Sequence, residues 1–201
     1  MYDVTNGNEN DDGVILNIGD TVNIGYIKQH HLNWQVLDIK DRAVLLVSSK
    51  GISYKPINEE VEVCTWENSS LRKWLNNQFL NDALKETDPW ILNVTEHNGH
   101  YLPKQQTILR NKDKIFILSS QEVIKYYSNP LISRLQMDDS CATGNEYSYS
   151  GNTWWWLRTK GKFDDFFAGV LPNGNIDYIG NNYTIPNAIR PAFWIDMDYF
   201  K

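Results

Sequence analysis

Three consecutive tryptophans followed by leucine and arginine, Trp154-Trp155-Trp156-Leu157-Arg158, constrain this chain more than any other stretch. Neighbouring residues of an extended strand point to opposite faces, so the run places large rings on both sides of the backbone. Each ring left in water would forfeit roughly 1.5–3 kcal/mol, which demands a central strand covered on both faces. A second apolar run with one arginine, Ile189-Arg190-Pro191-Ala192-Phe193-Trp194, reads as its partner. Trp34, Trp66, Trp74, Trp154, Trp155, Trp156, Arg190 and Trp194 are accordingly read as structural core.

Other segments carry weaker but consistent signals. Met1 to Gly13 is Asn-, Asp- and Gly-rich with almost nothing apolar to bury, and reads as a disordered tail. Val14 to Ile18 and Thr21 to Ile27 suggest a strand pair turned at Gly19-Asp20. Trp34 to Ile39 alternates apolar and polar residues, Lys40-Asp41-Arg42 suits a tight turn, and Ala43 to Ser48 is an apolar strand. Thr65 or Asn68 can cap a helix on which Leu71, Trp74, Leu75 and Phe79 recur along one face. Asn81 to Thr87 reads as a short second helix stopped by Asp88-Pro89, and Trp90 to Thr95 as a strand.

A polar excursion from Glu96 to Lys114 leads to the buried strand Ile115 to Leu118. Ser119 and Glu122 have capping-box spacing, so a helix should follow to about Tyr127 and stop at Asn129-Pro130. Leu131 to Thr153 reads as a long surface loop. The final third is β: the tryptophan run, Phe166 to Leu171, a turn at Pro172 to Asn175, Ile176 to Ile179, a polar loop from Gly180 to Asn187, and one strand from Ala188 to Ile195. The sum is a single α+β domain over residues 14–201, with much of its length in loops.

At 201 residues the chain is long enough for one real core. Nineteen Lys plus Arg against 25 Asp plus Glu leave a net charge of −6, which argues against a nucleic-acid partner, since that needs a clustered basic face. No apolar run is long enough to span a membrane and no signal peptide is visible, so no membrane partner is expected. The chain as given would be cytoplasmic, or secreted or displayed at the cell surface if a leader has been removed. Cys64 and Cys141 have no CxxC spacing and read as reduced thiols, with one long-range disulfide as the alternative.

Catalytic signatures are missing: there is no serine nucleophile elbow, phosphate loop, dinucleotide-binding glycine pattern or zinc-protease motif. No metal and no cofactor is expected, because His97 and His100 flank the turn-forming Asn98-Gly99 without a fixed carboxylate, and His30-His31 suit a solvated loop. Among the acid pairs, Asp11-Asp12, Asp138-Asp139 and Asp164-Asp165, only the last is placed for a ligand, between the tryptophan strand and the last hairpin. Arg158 and Arg190 each need a carboxylate or an aromatic face to sit in apolar strands. Glu67 or a tryptophan would serve, and anion binding is the alternative.

Asn173, Asn175, Asp177, Tyr178, Asn181, Asn182 and Tyr183 gather in one short span. Tyrosine offers contact area at low entropy cost and asparagine adaptable hydrogen bonding, which is recognition-loop composition, although asparagine also simply favours turns. Tyr147 and Phe166 complete the candidate ligand-binding set with Arg158, Asp164, Asp165, Asn173, Asn175, Tyr178, Asn181, Asn182 and Tyr183.

The series Trp34-Gln35-Val36-Leu37-Asp38, Thr65-Trp66-Glu67-Asn68-Ser69, Leu71-Arg72-Lys73-Trp74-Leu75-Asn76, Ile115-Phe116-Ile117-Leu118-Ser119, Trp155-Trp156-Leu157-Arg158 and Ile189-Arg190-Pro191-Ala192 resembles a bacterial family of domains of unknown function, from about Gly19 to Ile195. The close of the chain also looks like the C-type-lectin-like fold of formylglycine-generating enzymes and of the variable proteins of diversity-generating retroelements. That likeness implies mixed, mainly antiparallel sheets with two or three flanking helices and long loops, first and last strands paired, and a binding face over Asp164 to Phe166 and Asn173 to Tyr183. The Glu-Pro-Asn and Trp-Asn-Asp calcium signatures of sugar-binding lectins and the close cysteine pair of the oxidase are absent, so neither activity is implied. The expected role is a binding module that presents its C-terminal loops to a protein or glycan. The alternatives are an enzyme using Asp164 or Asp165 with Arg158 or a cysteine in the same cleft, and a structural accessory domain.

Overall fold

The computed structural model of the chain describes residues 14–60, 62–97, 99–103, 113–138 and 151–201. The tail expected over residues 1–13, Cys141 and the candidate residue Tyr147 lie outside the described residues. In chain order the strands are β1 (Thr21–Ile27), β2 (His30–Lys40), β3 (Ala43–Ser48), β4 (Ser53–Lys55), β5 (Val94–His97), β6 (His100–Pro103) and β7 (Ile115–Ile117). They continue with β8 (Leu135–Gln136), β9 (Asn152–Thr153), β10 (Trp155–Lys160), β11 (Phe166–Val170), β12 (Ile176–Asn182), β13 (Asn187–Ile189) and β14 (Pro191–Asp196). One sheet has the order β1-β2-β3-β14-β7 and is antiparallel throughout. The other runs β12-β11-β10-β13-β4, antiparallel except for β10 beside β13. The class is therefore α+β with mainly antiparallel sheets.

The tryptophan run occupies the middle of the second sheet, and Trp155, Trp156 and Leu157 are fully buried. Trp154 is only partly covered. It meets Trp156 edge-on at 4.7 Å and lies over Gly169, where a Cβ would fall 2.0 Å from its ring. Each indole N–H is sent to a different segment: Trp154 to Asp177, Trp155 to the Ser133 carbonyl and Trp156 to the Lys55 carbonyl. Trp34 and Trp194 do the same toward the carbonyls of Ile24 and Tyr101. Buried indoles thus supply both apolar area and cross-links that fix the register of neighbouring segments.

The last apolar run departs from the single strand expected over Ala188 to Ile195. It divides at Arg190-Pro191, so β13 joins β10 and β4 while β14 joins β3 and β7. Proline cannot donate a ladder hydrogen bond and holds its φ, which suits the crossing point. One run of side chains thereby feeds both sheets, and a single buried cluster runs through them. The last strand lies between β3 and β7 and not beside β1, unlike the pairing that the lectin-like resemblance implies.

Other boundaries also move. Val14 to Ile18 is no strand, because Gly19 N–H donates to Val36 and Val36 N–H to Asp20, and β1 pairs with β2 instead. The helix cap is Ser69, which accepts from Arg72 N–H at 3.2 Å, while Asn68 accepts from Thr65 N–H. From there α1 (Ser70–Trp74), a π-helical turn (Leu75–Phe79) and α2 (Leu80–Ala83) follow one another directly. Leu71, Leu75 and Phe79 form the buried face, with Trp74 half-buried.

Asp88-Pro89-Trp90 opens a 3-10 turn in place of the expected strand start, and β5 and β6 form a hairpin inside the predicted polar excursion. The capping box at Ser119 and Glu122 starts α3 (Ser120–Tyr126) as expected. Pro130 begins α4 (Pro130–Ser133), since a missing N–H is no loss at a first helical position. No described helix is long and apolar enough to cross a membrane.

Candidate functional site

Two buried carboxylates organise one end of the molecule. Glu122, at the start of α3, accepts from Ser119 N–H and Tyr101 N–H and holds both terminal nitrogens of Arg158, at 2.5 and 3.0 Å. The same guanidinium donates to the carbonyls of Ile117 and Gly99 and lies 3.9 Å from the centre of the Tyr101 ring. Asp113 accepts from the Trp66 indole at 3.1 Å and the Tyr101 hydroxyl at 3.0 Å, and pairs with Arg72. Burial, with the Asp113 charge next, pushes the Tyr101 phenol well above the usual tyrosine range. Charges this deep persist only when each is paired and its remaining hydrogen-bonding capacity is filled.

Above this network lies a cleft of about 430 Å³, walled by the 65–67 segment, the β5–β6 turn, the start of α3 and the end of β10. Arg158 forms its floor, while Glu67, Glu96, Gln121 and Lys160 line it. Arg72 donates to the Glu67 carbonyl at 2.9 Å, which fixes that backbone and leaves the side chain exposed. Neither the Glu67 nor the Glu96 carboxylate is paired within the described residues. Lys160 donates to the carbonyls of Cys64 and Asp164, so the 162–165 turn borders the cleft. The side walls are thus rigidly mounted groups with free hydrogen-bonding capacity, as a recognition site requires.

The candidate ligand-binding residues divide between two ends of the second sheet. Asp164, Asp165, Phe166, Asn181 and Asn182 gather near the cleft, where Asp165 accepts from the Asn182 amide at 2.7 Å. Asn173 and Asn175 sit at the far end of β11, a five-residue strand, hence roughly 17 Å away by the strand rise. Asn173 there caps Asn175 N–H, and Asn182 holds Thr184 N–H and hydroxyl, so asparagines expected to face a ligand are turn formers. Tyr183, expected on the binding face, is buried with its hydroxyl on the Glu62 carbonyl. Tyr178 is exposed in the middle of β12.

Arg158 meets Glu122 and Tyr101 instead of Glu67, and Arg190 donates to the Ser48 carbonyl and lies near the rings of Tyr127 and Trp155. Glu96, Gln121, Thr159 and Lys160 escaped the sequence reading, because only the fold brings a hairpin turn, a helix start and a strand end together. The capping box was the one available signal, since it leaves Gln121 pointing outward in the first turn. Cys64 is a free, buried thiol that burial pushes above its usual range. No group of three metal-ligating side chains occurs among the described residues, and His97 and His100 face each other across the β5–β6 hairpin.

Residues 41–197, well over half of the chain, match the model of one protein family, described as a domain of unknown function. No curated protein and no solved structure matches the chain.

Proposed function

The chain belongs to the family described as a domain of unknown function (DUF6273), a membership that assigns no reaction, and we propose that it works as a ligand-binding module. Its ligand, a protein or a glycan, enters the cleft between Glu67, Glu96, Gln121 and Lys160, with the Asp164 to Phe166 turn as a neighbouring rim. The observation that carries this reading is the contrast within the site. Arg158, Glu122, Asp113 and Arg72 spend their charges on one another, whereas Glu67 and Glu96 stand unpaired among the described residues on fixed backbone. Two such acceptors beside one ammonium suit a ligand rich in hydroxyl or amide donors.

A C-type-lectin-like architecture is part of the same proposal. It is supported by mixed, mainly antiparallel sheets and by the tryptophan strand standing next to β13, which leads through Arg190 into the final strand β14, and it would have to accommodate the displaced last strand. The test is capture on glycan and protein arrays, with and without calcium, by the wild-type chain and by a Glu67→Gln, Glu96→Gln, Gln121→Ala variant. A ligand held by the first and lost by the second, at unchanged thermal midpoint, is the expected result. Equal capture by both would reject the cleft.

A further inference from the structure

A second concavity lies at the far end of the α1 to α2 rod. Two adjoining pockets of about 410 and 400 Å³ share Tyr26, Asp82 and Ala83, and together form a groove between β1 and the helix. The rod from Ser70 to Ala83 is about 20 Å long at the helical rise, so this groove is separate from the cleft at Glu67.

Three backbone irregularities converge on the groove. The β1–β2 register shifts between Asn23 and Tyr26, around Gly25 with φ +74°. A Cβ at Gly25 would lie 2.3 Å from the Ala83 carbonyl oxygen, so glycine lets the strand approach the helix end. Bulges re-aim side chains, and here Tyr26 is half-exposed in the groove wall, its ring 4.3 Å from that of His31. The turn that follows passes through Lys28 and Gln29, both with positive φ. Opposite, the helix carries its π-helical turn at Leu75–Phe79, a distortion that is rare and often sits at functional sites.

The wall chemistry is specific. Asn23, Gln78, Asn81 and Asp82 line the groove, and their side chains bond to no other group among the described residues. Each is a planar amide or carboxylate with two hydrogen-bonding corners, a shape that matches vicinal hydroxyls. Tyr26 adds an aromatic face against which a pyranose ring can lay its C–H groups. Of the other aromatic walls, Trp74 carries the Lys55 ammonium 4.9 Å from its ring centre, Phe79 is buried against Trp74, and the Tyr199 ring meets those of Trp90 and Phe200. The half-exposed Tyr26 is therefore the ring best placed for stacking. We propose that this groove is a carbohydrate-binding site, in which Tyr26 supplies the stacking face and Asn23, Gln78, Asn81 and Asp82 hold hydroxyl groups.

The full chain, labelled with ¹⁵N, is titrated separately with cellotriose, triacetylchitotriose and mannotriose. The expected result is a saturable shift of the Tyr26, Gln78 and Asp82 amides by at least one of them. Tyr26→Ala and Asp82→Ala should each weaken that binding about tenfold, and Glu67→Gln should leave it unchanged. Tyr26 is half-exposed, so its variant keeps the fold, and Gln78→Ala provides a second readout on the exposed helix face. Absence of a saturable shift with all three sugars, or binding indifferent to Tyr26→Ala and Asp82→Ala, would overturn the proposal. Shifts confined to Glu67, Glu96 and Lys160 would also overturn it, while supporting the cleft.

Discussion

Arg158 on β10 is gripped at both ends of its guanidinium by Glu122 of α3, with side-chain exposures of 4% and 1%. The pair ties the tryptophan strand to the helix start, and through the Gly99 carbonyl and the Tyr101 N–H it also holds the β5–β6 hairpin. Removing one partner strands the other charge. Glu122→Ala or Arg158→Ala should each cost about 3–5 kcal/mol in urea unfolding, whereas joint replacement by leucine and methionine should cost much less than the two losses added. Strict additivity would show that the two groups act independently.

Asn76 makes a similar bridge with a neutral group. Its amide nitrogen donates to the carbonyls of Arg72 and Ile115, and its oxygen accepts from Lys114 N–H and Ile115 N–H. All four hydrogen-bonding positions are used, so the side chain serves as the partner along the outer edge of β7, whose other edge pairs with β14. Asn76→Ala should destabilise the chain by about 2–4 kcal/mol and accelerate amide exchange at Ile115. Exchange at Ile115 equal to wild type would refute this role.

Stability should decline in alkali. Burial raises the Cys64 thiol and the Tyr101, Tyr126 and Tyr127 phenols above their ordinary values. In the unfolded chain the thiol ionises near pH 8.5 and the phenols near pH 10, while the folded chain still holds these protons. The native state then binds more protons than the unfolded state, so the unfolding free energy falls as pH rises. The urea midpoint should hold level between pH 7 and about 8 and drop progressively above about 8.5. A flat midpoint up to pH 11 would contradict the burial of these groups.

What the sequence revealed follows how local each signal is. Trp155 and Trp156, Ala43 to Ser48 and the Ser119–Glu122 box read correctly because ring area, an apolar run and a cap are properties of a few adjacent residues, whereas Trp154 precedes β10 and is only partly covered. The division at Arg190-Pro191 did not, since a continuous apolar run carries no mark of which sheet each half joins. The cleft was legible only through Arg158 and the Asp164 turn, because Glu96 and Gln121 meet across 25 positions of sequence. Tyr183 and Asn182 show the limit of composition. The same residues build turns and binding faces, and only their partners tell which.

The tightest steric relationship in the second sheet is that of Gly169 to Trp154. Gly169 has an ordinary backbone, so alanine there meets no conformational penalty, yet its Cβ would sit 2.0 Å from the Trp154 ring. The ring must swing away, which breaks the indole contact with Asp177 at 3.4 Å and the edge contact with Trp156 at 4.7 Å. Gly169→Ala should therefore cost about 1–3 kcal/mol in an otherwise unchanged chain. In a Trp154→Leu background the obstructing ring is gone and most of that cost should vanish, giving a coupling of about 1 kcal/mol or more in the double-mutant cycle. A coupling near zero would place the need for glycine at β11 itself and free Trp154 from the sheet's packing.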